Sequence, residues 1–372
     1  MRKTNLLSIK GKGSIDWMNV VKGFAMLGVI FEHWTMVSHE SQNWFLEKTV
    51  LLTGSGGALV HQFFFLSGFG LTLGYLKRGI PSWKIWFIKR FSKIIVPYWI
   101  IITGTYVLAL AVGNKYTVGD WFSYITLTRN FFTSGRMLNW SFWFMPVIVG
   151  LYAFFPFLIW ILERLRASTF LMLSFFLSYG SIAFFAIAGY PVDNHQSAIF
   201  FFHLTPFAAG MFLAKITFKC NFILDKLASW YGCFLGFVMV GFSALLLKIL
   251  TFGNLINDIF TALGFFLILL WIYKTLTNIK LLKPIADFMK LFGKYSYLIY
   301  LLHWPLIMYI SEPLISRFCG TPIPSVFILI GEAVSVLLLL AIAVMLNNPF
   351  QVISQKVETG LTKLILKPST PN

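Results

Sequence analysis

Acidic residues are scarce in this chain. Asp and Glu together number 13 among 372 residues, and all charged residues make up only 12%, against about a quarter in an ordinary soluble domain. There are three cysteines, Cys220, Cys233 and Cys319. They are scattered, without CxxC or metal-ligand spacing, so neither a disulfide-stapled fold nor a cysteine metal site is indicated. Low-complexity tracts and a convincing internal repeat are also missing, which excludes disordered and collagen-like chains. What fills the sequence is apolar. Hydrophobic residues reach 58%, phenylalanine alone occurs 41 times, and mean hydropathy is +0.78. A soluble fold of this size cannot hide that much apolar surface, so lipid must serve as solvent. At ~20 apolar residues per helical crossing, there is room for about ten crossings.

Apolar runs fall at 17–37, 58–76, 94–112, 142–162, 169–189, 197–214, 231–250, 255–273, 295–311 and 324–346. The expectation is an all-α integral membrane protein of about ten transmembrane helices. Residues 1–16 form a short N-terminal segment, 17–346 the membrane domain and 347–372 a tail. The first run is too long and too polar for a cleaved signal peptide and lacks a small-residue cleavage site. The longest connection, 113–141, carries Trp121, Phe122, Phe131 and Phe132, which suit the membrane interface. Ten crossings place both termini on one side. If that side is the cytoplasm, 23 of the 30 basic residues lie inside and six outside, with Lys22 within a span. This bias supports an N-in, C-in topology in the cell's inner or plasma membrane. It also accounts for the net charge of +17 as a topology signal beside anionic lipid, so no nucleic-acid partner is expected.

Ionisable groups inside spans are costly and therefore candidates for function. The first run, IDWMNVVKGFAMLGVIFEHW, holds Lys22, Glu32 and His33. Lys22 and His33 are eleven residues apart, which at 100° per residue places them on one face about 16 Å apart along the axis. A cation near the inner mouth and an imidazole deeper in would suit a long anionic ligand entering from inside. The blander alternative is a lysine that snorkels and a histidine bonded to a neighbouring helix. The second run contains HQFFFLSGFGLTLGY. Ser67 there lacks the strand-to-helix elbow of serine hydrolases, and Gly68, Gly70 and Gly74 suit close helix packing.

The third run opens with FIKRFSKIIVPYW. Arg90 and Lys93, three apart on one face beside Lys89, suit a phosphate clamp, although positive-inside anchoring would use the same residues. In GKYSYLIYLLHWPLIMY, His303 lies about 13 Å from Lys294, and Pro305 should bend or break the helix just after it. Glu332 lies about 12 Å into the last span and needs a partner. The outer stretch RNFFTSGRMLNWSFWFMP offers Arg129, Arg136, Asn139 and Trp140, polar groups among aromatics that suit a sugar or an interfacial belt. His39, His195 and His203 form no usable pattern.

In this order, the pieces resemble the acyltransferase-3 family of integral membrane acyltransferases. Lys22-Gly23 through His33 resembles the family's opening Arg-Gly helix that ends in His. FFFLSGF (63–69) is similar to its second-span signature, and Arg90-Phe-Ser-Lys93 before Pro97 to its RxxR motif. Trp143, Tyr152 and Pro156 match the spacing of its fourth span, and YSYLIYLLHWPL (295–306) its closing element. Lysine stands at positions 22 and 93 where the family prefers arginine, which keeps charge but not the bidentate fork. The fourth span also lacks the acidic residue that many members carry there.

The resemblance implies O-acyl transfer, commonly of acetyl, from cytoplasmic acyl-CoA to a hydroxyl of a surface polysaccharide, lipid-linked sugar or related glycan. It implies no metal and no permanently bound cofactor. Lys22, Lys89, Arg90 and Lys93 would meet the donor's phosphates. His33 would be the general base, oriented by His303 or Glu332. Arg129, Arg136, Asn139 and Trp140 would meet the acceptor. The rival reading is a proton-coupled transporter or flippase with a relay through Lys22, Glu32, His33 and Glu332, although no inverted repeat supports it.

Overall fold

The computed structural model describes residues 16–37, 39–40, 43–53, 58–131, 137–189, 199–220, 222–249 and 258–366. Nearly all of it is helical. The helices are α1 (Asp16–Thr35), α2 (Trp44–Thr53), α3 (His61–Arg78), α4 (Trp83–Ala111), α5 (Val118–Ile125), α6 (Phe144–Arg164), α7 (Ala167–Ile187) and α8 (Leu204–Lys219). There follow α9 (Ile223–Leu227), α10 (Trp230–Ile249), α11 (Asp258–Asn278), α12 (Lys283–Lys294), α13 (Ser296–Leu306), α14 (Glu312–Cys319) and α15 (Ser325–Leu366). In lipid every backbone polar group must be satisfied within the segment, so a chain this apolar has little choice but helix. The sheet among the described residues is one parallel pair, His39–Glu40 beside Ile323–Pro324, joining the end of α1 to the start of α15.

Where they are described, the ten apolar runs fall largely on helices, and seven helical segments among the described residues are long and apolar enough to cross a membrane. This is a multi-pass membrane protein. Three of its elements depart from the sequence expectation. α4 begins at Trp83, so the whole basic stretch Lys84–Lys93 is helical and continuous with the span; the Ser82 side chain caps it by accepting from the Ile85 amide. The loop expected before residue 295 is largely α12, strongly amphipathic, burying Ala286, Met289, Phe292 and Gly293 and keeping its lysines outward. The regular α-helix that carries Pro305 ends just after it, at Leu306, yet the chain stays helical. The backbone widens into a π turn over Ile307–Ser311 and runs on as α14, which absorbs the missing N–H.

Two close approaches set the frame of the site. A Cβ on Gly293 would lie 1.7 Å from the Asn19 carbonyl oxygen, and one on Gly23 2.2 Å from that of Met289. Helices α1 and α12 therefore touch backbone to backbone, fastened by an ion pair from Lys290 to Asp16 at 2.6 Å. Gly68 and Gly210 do the same for α3 and α8: a Cβ on either would stand 2.0 Å from the other helix's carbonyl oxygen. The packing role expected of the second-run glycines belongs to Gly68; Gly70 and Gly74 meet only side-chain atoms.

Candidate active site

A cavity of about 310 Å³ opens between α1, α3, α4, α6 and α13. Lys22, Arg90 and Lys93 line it together, as does His33. The helical face reading of α1 thus holds, and α4 brings its i, i+3 cations to the same space. The ammonium of Lys22 and the guanidinium of Arg90 are close enough to repel each other, and among the described residues no carboxylate lines the cavity. Like charges gathered in a largely apolar pocket are destabilising unless an anion sits among them.

His33, 9% exposed, forms a wall of this cavity against fully buried His303. The two rings lie 4.8 Å apart at 52°. His303 Nδ1 lies 2.5 Å from the Tyr300 carbonyl oxygen, so in the neutral ring Nδ1 carries the proton and donates it there, and Nε2 is an acceptor. That Nε2 faces His33 Nδ1 at 3.2 Å, and His33 Nδ1 also lies 2.8 Å from the Val29 carbonyl oxygen. Both neighbours of His33 Nδ1 accept, so the neutral His33 ring holds its proton on Nδ1 and its basic lone pair on Nε2. Trp304 packs edge-on to the His33 ring at 5.1 Å and helps fix its plane. Of the two candidate orienting groups, His303 is bonded to His33. Glu332 is buried in α15 and does not line the cavity.

Hydroxyls and aromatic rings complete the walls. Tyr300 OH donates to the Ser141 carbonyl at 2.8 Å, tying α13 to the turn before α6. Tyr297 OH donates to the Ile94 carbonyl at 2.5 Å, tying α13 to α4. Tyr152 OH donates to Ser67 Oγ at 3.3 Å, and both residues line the cavity, as does Trp143. Lys89, on the same helix as Arg90, is exposed and lies away from the cavity.

Of the four expected acceptor contacts, the three among the described residues do not line this space. Asn139 caps the helical turn Trp140–Trp143, its Oδ1 accepting from the Ser141 amide at 2.9 Å and the Ser141 hydroxyl at 2.7 Å. Arg129 is buried and bonded to Tyr124, whose hydroxyl donates to the Asn139 carbonyl at 3.1 Å. Trp140 sits half-buried in the same turn, and Arg136 lies outside the described residues. The outer stretch is thus a hydrogen-bonded cover that supplies Ser141 and Trp143 to the cavity.

One cluster escaped the sequence reading. His61 Nε2 and His203 Nδ1 lie 3.1 Å and 2.6 Å from the two carboxylate oxygens of Asp258. Their donor atoms are within 4.8 Å of one another, and among the described residues this is the group able to hold a metal ion. His203 also stacks near Trp143, ring centres 5.3 Å apart, so the cluster braces a wall of the cavity. The available signal was positional: His61 and Asp258 open their helices and His203 caps the start of a third.

Known families fit this arrangement. A family model described as an acyltransferase domain (Acyl_transf_3) matches residues 15–346. The chain belongs to this acyltransferase family. No curated protein and no solved structure matches it. The match spans α1 through most of the apolar part of α15, and so covers every residue that lines the cavity.

Proposed function

We propose that this membrane acyltransferase moves an acyl group, acetyl in the simplest case, from cytoplasmic acyl-CoA to a hydroxyl of a surface polysaccharide, lipid-linked sugar or related glycan. The observation that carries the reading is a single cavity with three cations and, among the described residues, no carboxylate at one end and a supported imidazole at the other. The donor's phosphates sit among Arg90, Lys93 and Lys22, where an arginine offers a bidentate fork and the lysines point charges. The thioester then reaches His33 along the α1 face. His33 Nε2 takes the acceptor's hydroxyl proton as that oxygen attacks the thioester carbonyl. The tetrahedral adduct collapses, the C–S bond breaks, and the thiolate leaves with the proton returned from His33 Nε2 as the ester forms. His303 holds His33 in the tautomer that makes Nε2 the base, the role a third group plays in nucleophile–base pairs generally.

Ten spans with both termini in the cytoplasm of a plasma or inner membrane put the cationic end on the donor side. The relay alternative would need Glu32 and Glu332 on the path of Lys22 and His33, and neither lines the cavity among the described residues. The test is thiol release from acetyl-CoA by the purified protein supplied with a cell-envelope glycan extract. His33-dependent release, with acetyl appearing on the glycan, is expected. Absence of such release overturns the reading.

A further inference from the structure

Beyond Lys93 lies a second cavity, about 300 Å³, between α4, α13 and the far half of α15. Lys93 and Tyr297 line both cavities. The outer wall is formed by Asn347, Phe350, Gln351 and Gln355 of α15. Asn347, Gln351 and Gln355 are spaced by four and so form one row along the helix. Gln351 Nε2 donates to Asn347 Oδ1 at 3.2 Å, joining two of the amides. This row follows directly on the apolar run that ends at Leu346, in the part of the chain where the sequence led only to the expectation of a tail.

The chemistry of the second cavity differs from that of the first. Carboxamides carry a donor and an acceptor side by side and pair with the edge of a flat heterocycle, as Asn and Gln do with the N6 and N7 of adenine. Aromatic rings such as Tyr297 and Phe350 offer stacking surfaces for such a base. The two cavities in series therefore read imidazole, then cations, then amides and rings. We propose that the second cavity binds the adenine nucleotide end of acyl-CoA, with Lys93 at the junction holding phosphate. This rests on the acyl-CoA reading above. An anionic lipid headgroup would satisfy Lys93 equally well but would make no use of a row of carboxamides.

The experiment compares two donors on the purified full-length protein: acetyl-CoA, and S-acetyl-N-acetylcysteamine, which has the thioester but no phosphate or nucleotide. For Asn347→Ala/Gln351→Ala, the KM for acetyl-CoA should rise about tenfold or more, the scale of one or two lost polar contacts, while the KM for the truncated donor stays within about twofold. Gln351→Glu keeps the side chain's shape but loses the amide donor; it should shift in the same direction and guards against a folding defect. Adenosine 3′,5′-bisphosphate should compete with acetyl-CoA on the unaltered protein and lose about tenfold in potency on the variants. A KM that moves equally for both donors, or for neither, overturns the nucleotide assignment. So does failure of the bisphosphate to compete, which would assign the cavity to lipid. If the unaltered protein releases no thiol from acetyl-CoA, the acyl-CoA reading falls and the nucleotide site with it; normal turnover unaffected by these variants sinks the nucleotide site alone.

Discussion

His33 and His303 share one hydrogen bond, and its direction sets the chemistry of the cavity. His33→Ala should insert and keep its thermal stability in detergent while losing about 10²–10⁴-fold in turnover, the usual worth of a general base. Retention of more than about a tenth of the rate would remove His33 from that role. His303 is a positioning residue, so its variants should divide by hydrogen-bonding capacity. His303→Gln, which can still accept from His33 Nδ1, should keep much of the rate; His303→Leu should lower kcat about tenfold or more with donor KM unchanged. Arg90→Ala should raise the donor KM about 10–150-fold, the worth of a charge-assisted contact of ~1.5–3 kcal/mol, and leave the acceptor KM alone. Lys93→Arg should be tolerated, since it restores a fork beside the cavity. Steady-state kinetics on correctly inserted protein decide all four. Spacing set Lys22 with His33 on one face of α1 and Arg90 with Lys93 on one face of α4, but a bland reading fitted each pair as well, and only the family resemblance joined the two faces into one site. The orienting partner of His33 was not legible, because it lies 270 positions away and only packing brings it near. Tyr297 and Tyr300 were missed for another reason: in an apolar span a tyrosine reads as bulk hydrophobe, and its hydroxyl becomes informative only when a carbonyl is seen opposite.

Backbone contact between α1 and α12 gives the helices their least adjustable constraint. Even Gly293→Ala would place a methyl 1.7 Å from the Asn19 carbonyl oxygen, so the helices must separate. Overpacking of this kind typically costs about 1–3 kcal/mol, and the shift would also move Lys22, which precedes Gly23 at the same contact. Gly293→Ala should lower melting temperature and membrane yield, and should raise donor KM in whatever protein folds. Gly104→Ala is the control, since nothing lies within 4 Å of its added Cβ; its stability should be unchanged or slightly raised. Equal behaviour of the two variants in a detergent melting series would show that the contact carries no constraint. Neither α12 nor its contact was visible in the sequence. Its lysines read as a positive-inside loop, and its buried positions are too few to register in a search for long apolar runs. The apolar runs themselves were easy to find, because period and length survive whatever a helix packs against.

At the scale of the whole molecule, parity decides topology. Among the described residues, seven segments satisfy length and hydropathy for crossing. If only those crossed, the termini would lie on opposite sides; ten crossings return them to the same side. The three additional runs fall on α1, α8 and α10. Helix α1 carries Asp16, Lys22 and Glu32, which depress its hydropathy; Asp16 is paired with Lys290 and Lys22 faces the cavity, and twelve other residues of the helix are buried by protein. Helix α8 has 16 residues, about 24 Å of rise against a ~30 Å hydrocarbon core. It is screened by α3, and its Lys215 donates to the Leu162 carbonyl. Helix α10, Trp230–Ile249, has 20 residues, about 30 Å of rise, which matches the hydrocarbon core. Counting all three gives the topology in which 23 basic residues lie inside and six outside; dropping any one inverts every segment beyond it and spoils that bias. A reporter fused after residue 372 should therefore read cytoplasmic. In a variant with Cys220, Cys233 and Cys319 replaced, a single cysteine at Lys115 should label from outside and one at Lys280 only after permeabilisation. An extracytoplasmic C-terminus with Lys115 still outside would mean an even number of crossings beyond α4, where the ten-span count has seven. It would also place the amide row of α15 on the side opposite Arg90, where no acyl-CoA bound across both cavities could reach it.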